Sequence, residues 1–176
     1  MDFKNISYLQ NGTVRQRQAY TTLKELNLFE DLSIYKPLLT GTIPIGIDLP
    51  ESDLDIICHV SNHQAFAGLV TRLYENYAGY SLKQSVHTGM ETTVACFRTD
   101  SFEVEIFAQN IPTDRQHAYQ HMLIEHNILL KKGNDFKAEI IRLKASGMKT
   151  EPAFARLLGL PDDPYQALLD YWPPLD

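Results

Sequence analysis

One stretch of the sequence decides the predicted fold: Gly41-Thr-Ile-Pro-Ile-Gly-Ile-Asp-Leu-Pro-Glu-Ser-Asp-Leu-Asp55. It follows an apolar, extended run at 35–39 and overlaps the apolar run 53-DLDIICHV-60, which is typical of a buried strand. Two prolines and a central glycine within the stretch exclude a long regular element there. We therefore expect a strand, a loop and a second strand whose acidic start lies at the edge of a sheet.

Two acidic residues at that edge point to a metal. Asp53 and Asp55 are two positions apart on a predicted strand, so their side chains project from the same face. Carboxylates this close repel each other, and one of them should have a raised pKa unless a proton or a cation intervenes. A hard divalent cation bound by oxygen is the usual resolution, so the spacing predicts a site for Mg²⁺.

The residues at the end of the first strand are suited to phosphate. Gly41 lets the backbone approach a ligand closely, so that exposed amides can face a phosphate, and Thr42 adds a hydroxyl donor. A triphosphate bound there would be bridged by Mg²⁺ to Asp53 and Asp55, which aligns the α-phosphorus for attack by a hydroxyl. The pattern therefore predicts a nucleotide site at this loop.

A third carboxylate should lie on an adjacent strand. In the segment 101–107, the apolar residues Phe102, Val104 and Ile106 point one way. That alternation leaves Glu103 and Glu105 together on the opposite face. By the pattern alone, either glutamate could complete the site.

This combination of residues resembles the signature of the DNA polymerase beta-like nucleotidyltransferase superfamily. The signature is a glycine and a small residue, then about ten positions, then Asp-x-Asp, with a later acid on a neighbouring strand. The residues that fall at the spacings of its small bacterial members are Gly41, Thr42, Gly46, Ser52, Asp53 and Asp55. The segment 149-KTEPAFARLLGLPDDPY-165 also resembles a small bacterial family within this superfamily.

The resemblance implies a role for each acid. Asp53 and Asp55 would hold Mg²⁺ or Mn²⁺, and Glu105 would hold a second metal and help to deprotonate the incoming hydroxyl. Glu105 is the first choice because two apolar residues follow it, as in many members, and Glu103 is the second choice. Catalysis would come mainly from in-line positioning and neutralisation of charge.

The resemblance also implies the substrates. Gly41 and Thr42 would contact the β- and γ-phosphates of a nucleoside triphosphate, and Ser52 belongs to the same nucleotide-binding set. A nucleoside monophosphate would pass to a hydroxyl on an unknown acceptor, which is a small molecule, a protein or an RNA.

Two other functions stay open at this stage. The superfamily often has basic residues after the small residue, whereas this sequence has Ile43, Pro44 and Ile45, which give less cationic help to a triphosphate. That departure favours an inactive nucleotide-, RNA- or protein-binding module of the same fold, but the intact acidic pair favours an enzyme. The other open function, which is the weaker hypothesis, is a metal-dependent hydrolase.

The remaining periodicity predicts an α/β (α+β) fold, in which a short mixed sheet is flanked by helices and followed by a helical C-terminal part. We expect one domain over residues 1–176, with a core at about 14–110 and C-terminal helices at about 113–172. The expected strands are 35–39, 53–60, 80–86, 92–98 and 102–107, of which the last three should make an antiparallel edge of the sheet. The expected helices are 14–26, 63–77, 113–131, 135–146, 151–158 and 163–171.

Composition narrows the function classes. The chain has 176 residues, 44% of them hydrophobic, and a net charge of −6, which is typical of a soluble globular protein and argues against duplex DNA as a partner. Its two cysteines, Cys58 and Cys96, form no CxxC pair, so a disulfide framework or structural zinc site is not expected. With no apolar segment of membrane length and no secretory pattern, we expect a cytoplasmic protein without a membrane partner.

One helical motif lies outside the signature. His117, His121 and Glu125 are spaced four residues apart, so a helix brings them near one face, where two histidines one turn apart can bind zinc. The glutamate does not lie between the histidines as it does in HExxH. Ordinary buried or solvated side chains are therefore the favoured interpretation.

Overall fold

The computed structural model describes residues 1–87, 89–161 and 163–171. The α-helices are α1 Val14–Glu25, α2 Leu28–Asp31, α3 His63–Tyr74, α4 His117–Ala145, α5 Thr150–Leu158 and α6 Pro164–Asp170. The strands are β1 Leu38–Thr40, β2 Leu54–His59, β3 Ala78–His87, β4 Met90–Arg98 and β5 Glu103–Gln109. Short 3-10 turns lie at Ser7–Asn11, Ser33–Tyr35 and Thr113–Arg115. Residue 172, the expected end of the C-terminal helices, lies outside the described residues.

In the described part of the chain, the strands form one five-stranded mixed sheet in the order β1-β2-β5-β4-β3. Among the described strands, only the pairing of β2 with β5 is parallel, and β1–β2, β3–β4 and β4–β5 are antiparallel. This confirms the predicted mixed sheet flanked by helices. The strands expected to make an antiparallel edge, now β3, β4 and β5, do pair antiparallel along one side of the sheet, and β5 joins them to the rest through its parallel pairing with β2.

The sheet separates two apolar clusters. One cluster lies on the side of α1 and α3 and includes Leu23, Phe66 and Ile56, whereas the other lies on the side of α4, α5 and α6 and includes Phe154 and Ile57. Neighbouring residues of β2 belong to different clusters because side chains alternate along a strand. The odd-numbered positions of β2 and β5 therefore face the C-terminal helices.

Local sequence signals set several element boundaries. Thr13 and Gln16 form a reciprocal capping box at the start of α1, and the Asn62 side chain accepts a hydrogen bond from the Ala65 N–H at the start of α3. The expected break between two helices lies inside α4, where Gly133 leaves the helical region with φ 80° and ψ −170°. No helix of the described chain is long and apolar enough to cross a membrane.

Candidate functional site

Two of the three acids of the predicted site, Asp55 and Glu105, lie side by side on neighbouring strands. In the parallel ladder, Asp55 of β2 is in register with Glu105 of β5. Both occupy partly exposed positions between buried neighbours, of which Val104 and Ile106 face the opposite side of the sheet. The alternation read from the sequence therefore places these two carboxylates on the face covered by the C-terminal helices.

Asp53 lies just before β2 and is exposed. Burial raises the pKa of Asp55 to about 7, with the negative charges of Asp53 and Glu105 adding to the effect. Burial also raises the pKa of Glu105, again with help from Asp53. The negative charge of Asp53 contributes to both shifts, so ionisation of one of these carboxylates disfavours ionisation of the others.

Glu103 and Glu105 differ in their surroundings. Glu103 is exposed and lies 3.5 Å from Arg98 Nε, with which it forms a surface ion pair. Glu105 instead lines the large cavity beside the sheet, and its Oε2 is 3.9 Å from Cys96 Sγ. The structure therefore brings Glu105, the first choice from the sequence, to the same cavity as Asp55.

The glycine loop directly adjoins Asp55. The pairing of Thr40 with Asp55 places Gly41 beside that carboxylate, and its φ of +79° is one that glycine adopts without strain. A Cβ at Gly41 would overlap Asp55 Oδ2. Because the backbone can approach the carboxylate only without a side chain, the glycine is required here for two independent reasons.

Thr42 and Ser52 close the loop on itself. Thr42 Oγ1 and Ser52 Oγ lie 3.3 Å apart, and Ser52 Oγ accepts a hydrogen bond from the Leu49 N–H at 2.9 Å. The Ile47 N–H donates to the Thr42 carbonyl at 3.1 Å. These contacts fix the Thr42 hydroxyl next to Gly41. Ser52 stabilises the loop through its hydroxyl but does not line the cavity.

Residues distant in sequence anchor this loop. Gln16 Nε2 donates to the carbonyls of Ile43 and Pro44 at 2.9 and 3.1 Å. Lys144 Nζ, from α4, donates to the Ile47 carbonyl at 2.6 Å and is buried. Sequence reasoning missed both anchors, since nothing in local spacing connects a glutamine 27 residues away or a lysine 97 residues away to this loop.

Arg15 anchors the segment that leads to the acids. Its guanidinium donates to the carbonyls of Pro50 and Ser52 at 2.9 and 3.1 Å. It also donates to the Ser101 carbonyl at 3.2 Å and lies 3.9 Å from the centre of the Phe102 ring. One side chain of α1 thus links the segments that precede β2 and β5, the strands that carry Asp55 and Glu105.

A cavity of about 880 Å³ lies between the sheet and the C-terminal helices. Gly41, Thr42, Asp55 and Glu105 line it, whereas Ser52 and Asp53 do not. The lining residues that α4 and α5 contribute, with the turn before α4, are Ile111, Gln116, His117, Ala118, His121, Met122, Glu125, Thr150 and Glu151. The cavity therefore joins the predicted site to the His117–His121–Glu125 face that the sequence left without a function.

The polar side chains that α4 and α5 contribute to the cavity are closely packed. His121 Nδ1 lies 3.6 Å from Glu151 Oε1, and its Nε2 lies 3.0 Å from the Tyr165 carbonyl. Burial raises the pKa of Glu125 well above its usual value, and the charge of Glu151 adds to this. Burial lowers the pKa of Lys144, although Glu125 and neighbouring carboxylates oppose the shift.

Within the described residues, neither the acids of the signature nor the polar side chains of α4 and α5 form a ready-made metal site. Among residues 1–87, 89–161 and 163–171, no three His, Cys, Asp or Glu side chains are grouped closely enough to hold a metal ion. Asp55 and Glu105 thus share one cavity with His117 and His121. Metal binding by Asp53, Asp55 and Glu105 stays a prediction, whereas the histidines were expected to be ordinary buried or solvated side chains.

Comparison with known proteins identifies the family. A family model described as a domain of unknown function, DUF4269, matches residues 21–171. The chain belongs to the DUF4269 family. The matched range includes Gly41, Thr42, Asp53, Asp55 and Glu105, so the whole predicted site lies within the DUF4269 domain. No curated protein sequence matches this DUF4269 chain.

Solved structures show the fold of the DUF4269 chain. It is similar to GLD-2 in a GLD-2/RNP-8 complex, with a TM-score of 0.55 and 12% identity, over 87% of this chain and 61% of that one. It is also similar to Cid1 poly(U) polymerase with Mg 3′-dATP bound, with a TM-score of 0.53 and 16% identity, over 73% and 40% of the two chains. These neighbours have nucleotidyltransferase folds, so the predicted fold class is confirmed. The DUF4269 chain spans less than two thirds of the length of either neighbour.

Proposed function

We propose that this chain is a metal-dependent nucleotidyltransferase, which transfers a nucleoside monophosphate from a nucleoside triphosphate to a hydroxyl of an acceptor. The observation that carries the proposal is the parallel register of Asp55 and Glu105 on the wall of a cavity that Gly41 and Thr42 also line. Structures similar to this chain include Cid1 poly(U) polymerase with MgGTP bound, which supports the same class of reaction.

The donor chemistry fits Mg²⁺ or Mn²⁺. Asp53, Asp55 and Glu105 supply carboxylate oxygens, which hard divalent cations prefer. In the part of the chain that the structure describes, neither Asp55 nor Glu105 forms an ion pair with a lysine or an arginine, and the charge of Lys144 only partly opposes the raised pKa of Asp55. A bound divalent cation would neutralise charge on the triphosphate and on these carboxylates.

The chain's own residues would carry the remaining chemistry. The Gly41 backbone and the Thr42 hydroxyl would contact the β- and γ-phosphates, and the Ser52 hydroxyl would hold Thr42 in place. Glu105 would accept the proton of the acceptor hydroxyl and release it to solvent. The acceptor oxygen would bond to the α-phosphorus as that phosphorus loses its bond to the bridging oxygen, and pyrophosphate would leave.

The test separates nucleotide binding from transfer. We expect Mg²⁺ with a nucleoside triphosphate at about 100 times its Kd to stabilise the wild type by about 2.7 kcal/mol, and the double variant Asp53→Asn/Asp55→Asn to lose this shift. Glu139→Gln, which removes a partly exposed acid of α4 that is paired with Arg142, should keep it. A wild type that shows no metal-dependent stabilisation by any of the four common nucleotides would contradict the proposal.

A binding module of the same fold is the second candidate. Ile43 and Ile45 are buried, and no lysine or arginine is among the cavity-lining residues of the described chain, so a triphosphate has little cationic support there. Incubation of a labelled triphosphate with cell extract distinguishes the two functions. Transfer gives a labelled product together with pyrophosphate, a module gives neither, and pyrophosphate without a labelled product indicates hydrolysis.

A further inference from the structure

The loop between β1 and β2 has no cation of its own. No lysine or arginine occurs between Lys36 and Arg72 in the sequence, whereas four carboxylates do. Those carboxylates belong to Asp48, Glu51, Asp53 and Asp55. Positive charge near the loop that carries Gly41 and Thr42 must therefore come from another part of the chain.

Lys144 of α4 brings a cation to this loop from 97 residues away. Its Nζ donates a hydrogen bond to the Ile47 carbonyl at 2.6 Å, and the residue is only 9% exposed. Burial lowers the pKa of Lys144, although the charges of Glu125, Asp48 and other carboxylates oppose this shift. Lysine is rarely buried, because removing an ammonium group from water is costly. The buried position of Lys144 therefore requires an explanation.

Ile47 links Lys144 to the phosphate-binding end of the loop. The Ile47 carbonyl accepts the hydrogen bond from Lys144, and the Ile47 N–H donates to the Thr42 carbonyl at 3.1 Å. Ile47 is fully buried, and Thr42 lines the cavity together with Gly41. Lys144 itself does not line the cavity, so its effect on a ligand there would pass through the loop.

The side chains of α1 do not duplicate this contact. Arg15 and Gln16 donate to other carbonyls of the loop and of the segment that leads to β2. Among the contacts of the described residues, the Ile47 carbonyl accepts a side-chain hydrogen bond from Lys144 alone. Removal of Lys144 should therefore loosen the turn that contains Ile47 and leave the rest of the loop attached to α1.

We propose that Lys144 is a positioning residue for the nucleotide, which acts through Ile47 to hold Gly41 and Thr42 where they receive the phosphates. The inference rests on the proposed function and adds to it a residue outside the cavity. Lys144 provides from α4 the cation that the apolar residues 43–45 do not provide within the loop. A charged donor suits this task, because charge-assisted hydrogen bonds are stronger than neutral ones.

Amide hydrogen exchange tests the positioning step without nucleotide or metal. The N–H groups of Gly46 and Ile47 both donate hydrogen bonds within the loop. We expect Lys144→Met to speed their exchange by about tenfold, in line with the loss of one hydrogen bond to a charged group. The amide of Val70, which is buried in the middle of α3, is the internal reference. It should change less, because only a general loss of stability would affect both regions equally.

Titration with Mg²⁺ and a non-hydrolysable nucleoside triphosphate tests the effect on the ligand. We expect Lys144→Met to raise the Kd by about tenfold, as the exchange result predicts. Lys144→Arg should keep most of the affinity, since the guanidinium group is also a charged donor. Phe97→Ala, which removes a buried ring on the opposite side of the sheet, should lower stability without changing the Kd.

A second background keeps the test decisive if Lys144→Met does not fold. The charge of Lys144 offsets that of the buried Glu125 carboxylate, and Glu125→Gln removes the need for this compensation. Both measurements then compare Glu125→Gln with the double variant Glu125→Gln/Lys144→Met, and the same differences are expected.

Three outcomes would overturn the proposal. They are loop amides that exchange no faster relative to Val70 than in the wild type, an unchanged Kd despite faster loop exchange, and a Lys144→Arg variant as weak as Lys144→Met. The exchange experiment uses the free protein, so it separates the two proposals. A wild type that binds no nucleotide contradicts the proposed function, whereas unchanged loop exchange contradicts the role of Lys144 alone.

Discussion

Gly41 and Asp55 constrain each other at the scale of single residues. The glycine has a positive φ, and its missing side chain leaves room for the Asp55 carboxylate. Burial and the negative charges of its neighbours raise the pKa of Asp55, so the charged form of this carboxylate is unfavourable there. The local structure therefore places an acid where its charge is disfavoured unless a ligand compensates it.

Replacing the glycine should disturb this arrangement more than backbone strain alone. Gly41→Ala adds the strain of a positive φ, about 1 kcal/mol, and also a clash with Asp55. Gly147→Ala is a matched control, since Gly147 has a φ of +93° and open space around its Cα. We expect Gly41→Ala to lose more unfolding free energy in urea than Gly147→Ala, and to lose the nucleotide-dependent thermal shift as well. Equal losses in stability would show that the close approach is not important.

Glu125 should make stability depend on pH. Its pKa is raised in the folded state, so folding takes up a proton, and the wild type loses stability as pH rises above the ordinary glutamate pKa of about 4.3. Glu125→Gln has no such loss. We expect the variant to match the wild type near pH 5 and to exceed it by about 1 kcal/mol or more near pH 8, in line with the cost of an unsatisfied buried group.

Denaturant unfolding at the two pH values measures this difference. Glu139→Gln serves as the control, because a hydrogen bond from the Arg142 side chain lowers the pKa of that partly exposed glutamate instead of raising it. A gap between Glu125→Gln and the wild type that is the same at both pH values would indicate that Glu125 does not titrate with folding.

At the scale of elements, the loop between β1 and β2 depends on helices that are remote in sequence. α1 contributes Arg15 and Gln16, and α4 contributes Lys144, all through hydrogen bonds to loop carbonyls. These carbonyls lie in a segment with two prolines that belongs to no helix or strand, so side chains complete their hydrogen bonding. The position of the loop beside Asp55 thus depends on both α1 and α4.

The Gln16 tether can be removed selectively. Gln16→Ala eliminates two hydrogen bonds to the loop and half of the capping box, so we expect a loss of about 1–3 kcal/mol in unfolding free energy. Gln18→Ala, at an exposed position of the same helix, should change it by less than about 0.5 kcal/mol. The two variants are compared by urea unfolding, and similar losses would refute the tether.

The difference between local structure and tertiary contacts explains which features the sequence could predict. Alternation along 101–107 predicted the face of β5 on which Glu105 lies, because side-chain direction in a strand is a local property. Asp53, which was expected to begin the strand that carries Asp55, lies just before β2 and does not line the cavity. The central position of β5 was missed, since strand order depends on how the whole chain folds back. Gln16 and Lys144 were missed for the same reason, as both reach the loop only through tertiary structure. The resemblance of segment 149–165 to a bacterial family stays a prediction.

At the scale of the whole molecule, one sheet supports both sides of the structure. The apolar cluster beside α1 and α3 contains Phe97, which stacks on Tyr74, and the cluster beside the C-terminal helices contains Phe154, which contacts Phe136. Alternate residues of β2 belong to opposite clusters, so neither side can lose its packing without disturbing the strand that carries Asp55. This arrangement favours the single domain predicted from the sequence.

Truncation of one phenylalanine on each side tests whether the two clusters unfold together. Phe97 and Phe154 are both fully buried, so Phe97→Ala and Phe154→Ala should each cost about 3–5 kcal/mol. If the sheet couples the clusters, calorimetry should show one transition in both variants, with equal calorimetric and van't Hoff enthalpies. Leu130→Ala, at a 69% exposed position of α4, should hardly change the transition. Two transitions, of which each variant shifts only one, would instead divide the chain at the sheet and make the cavity a boundary between separately folding parts.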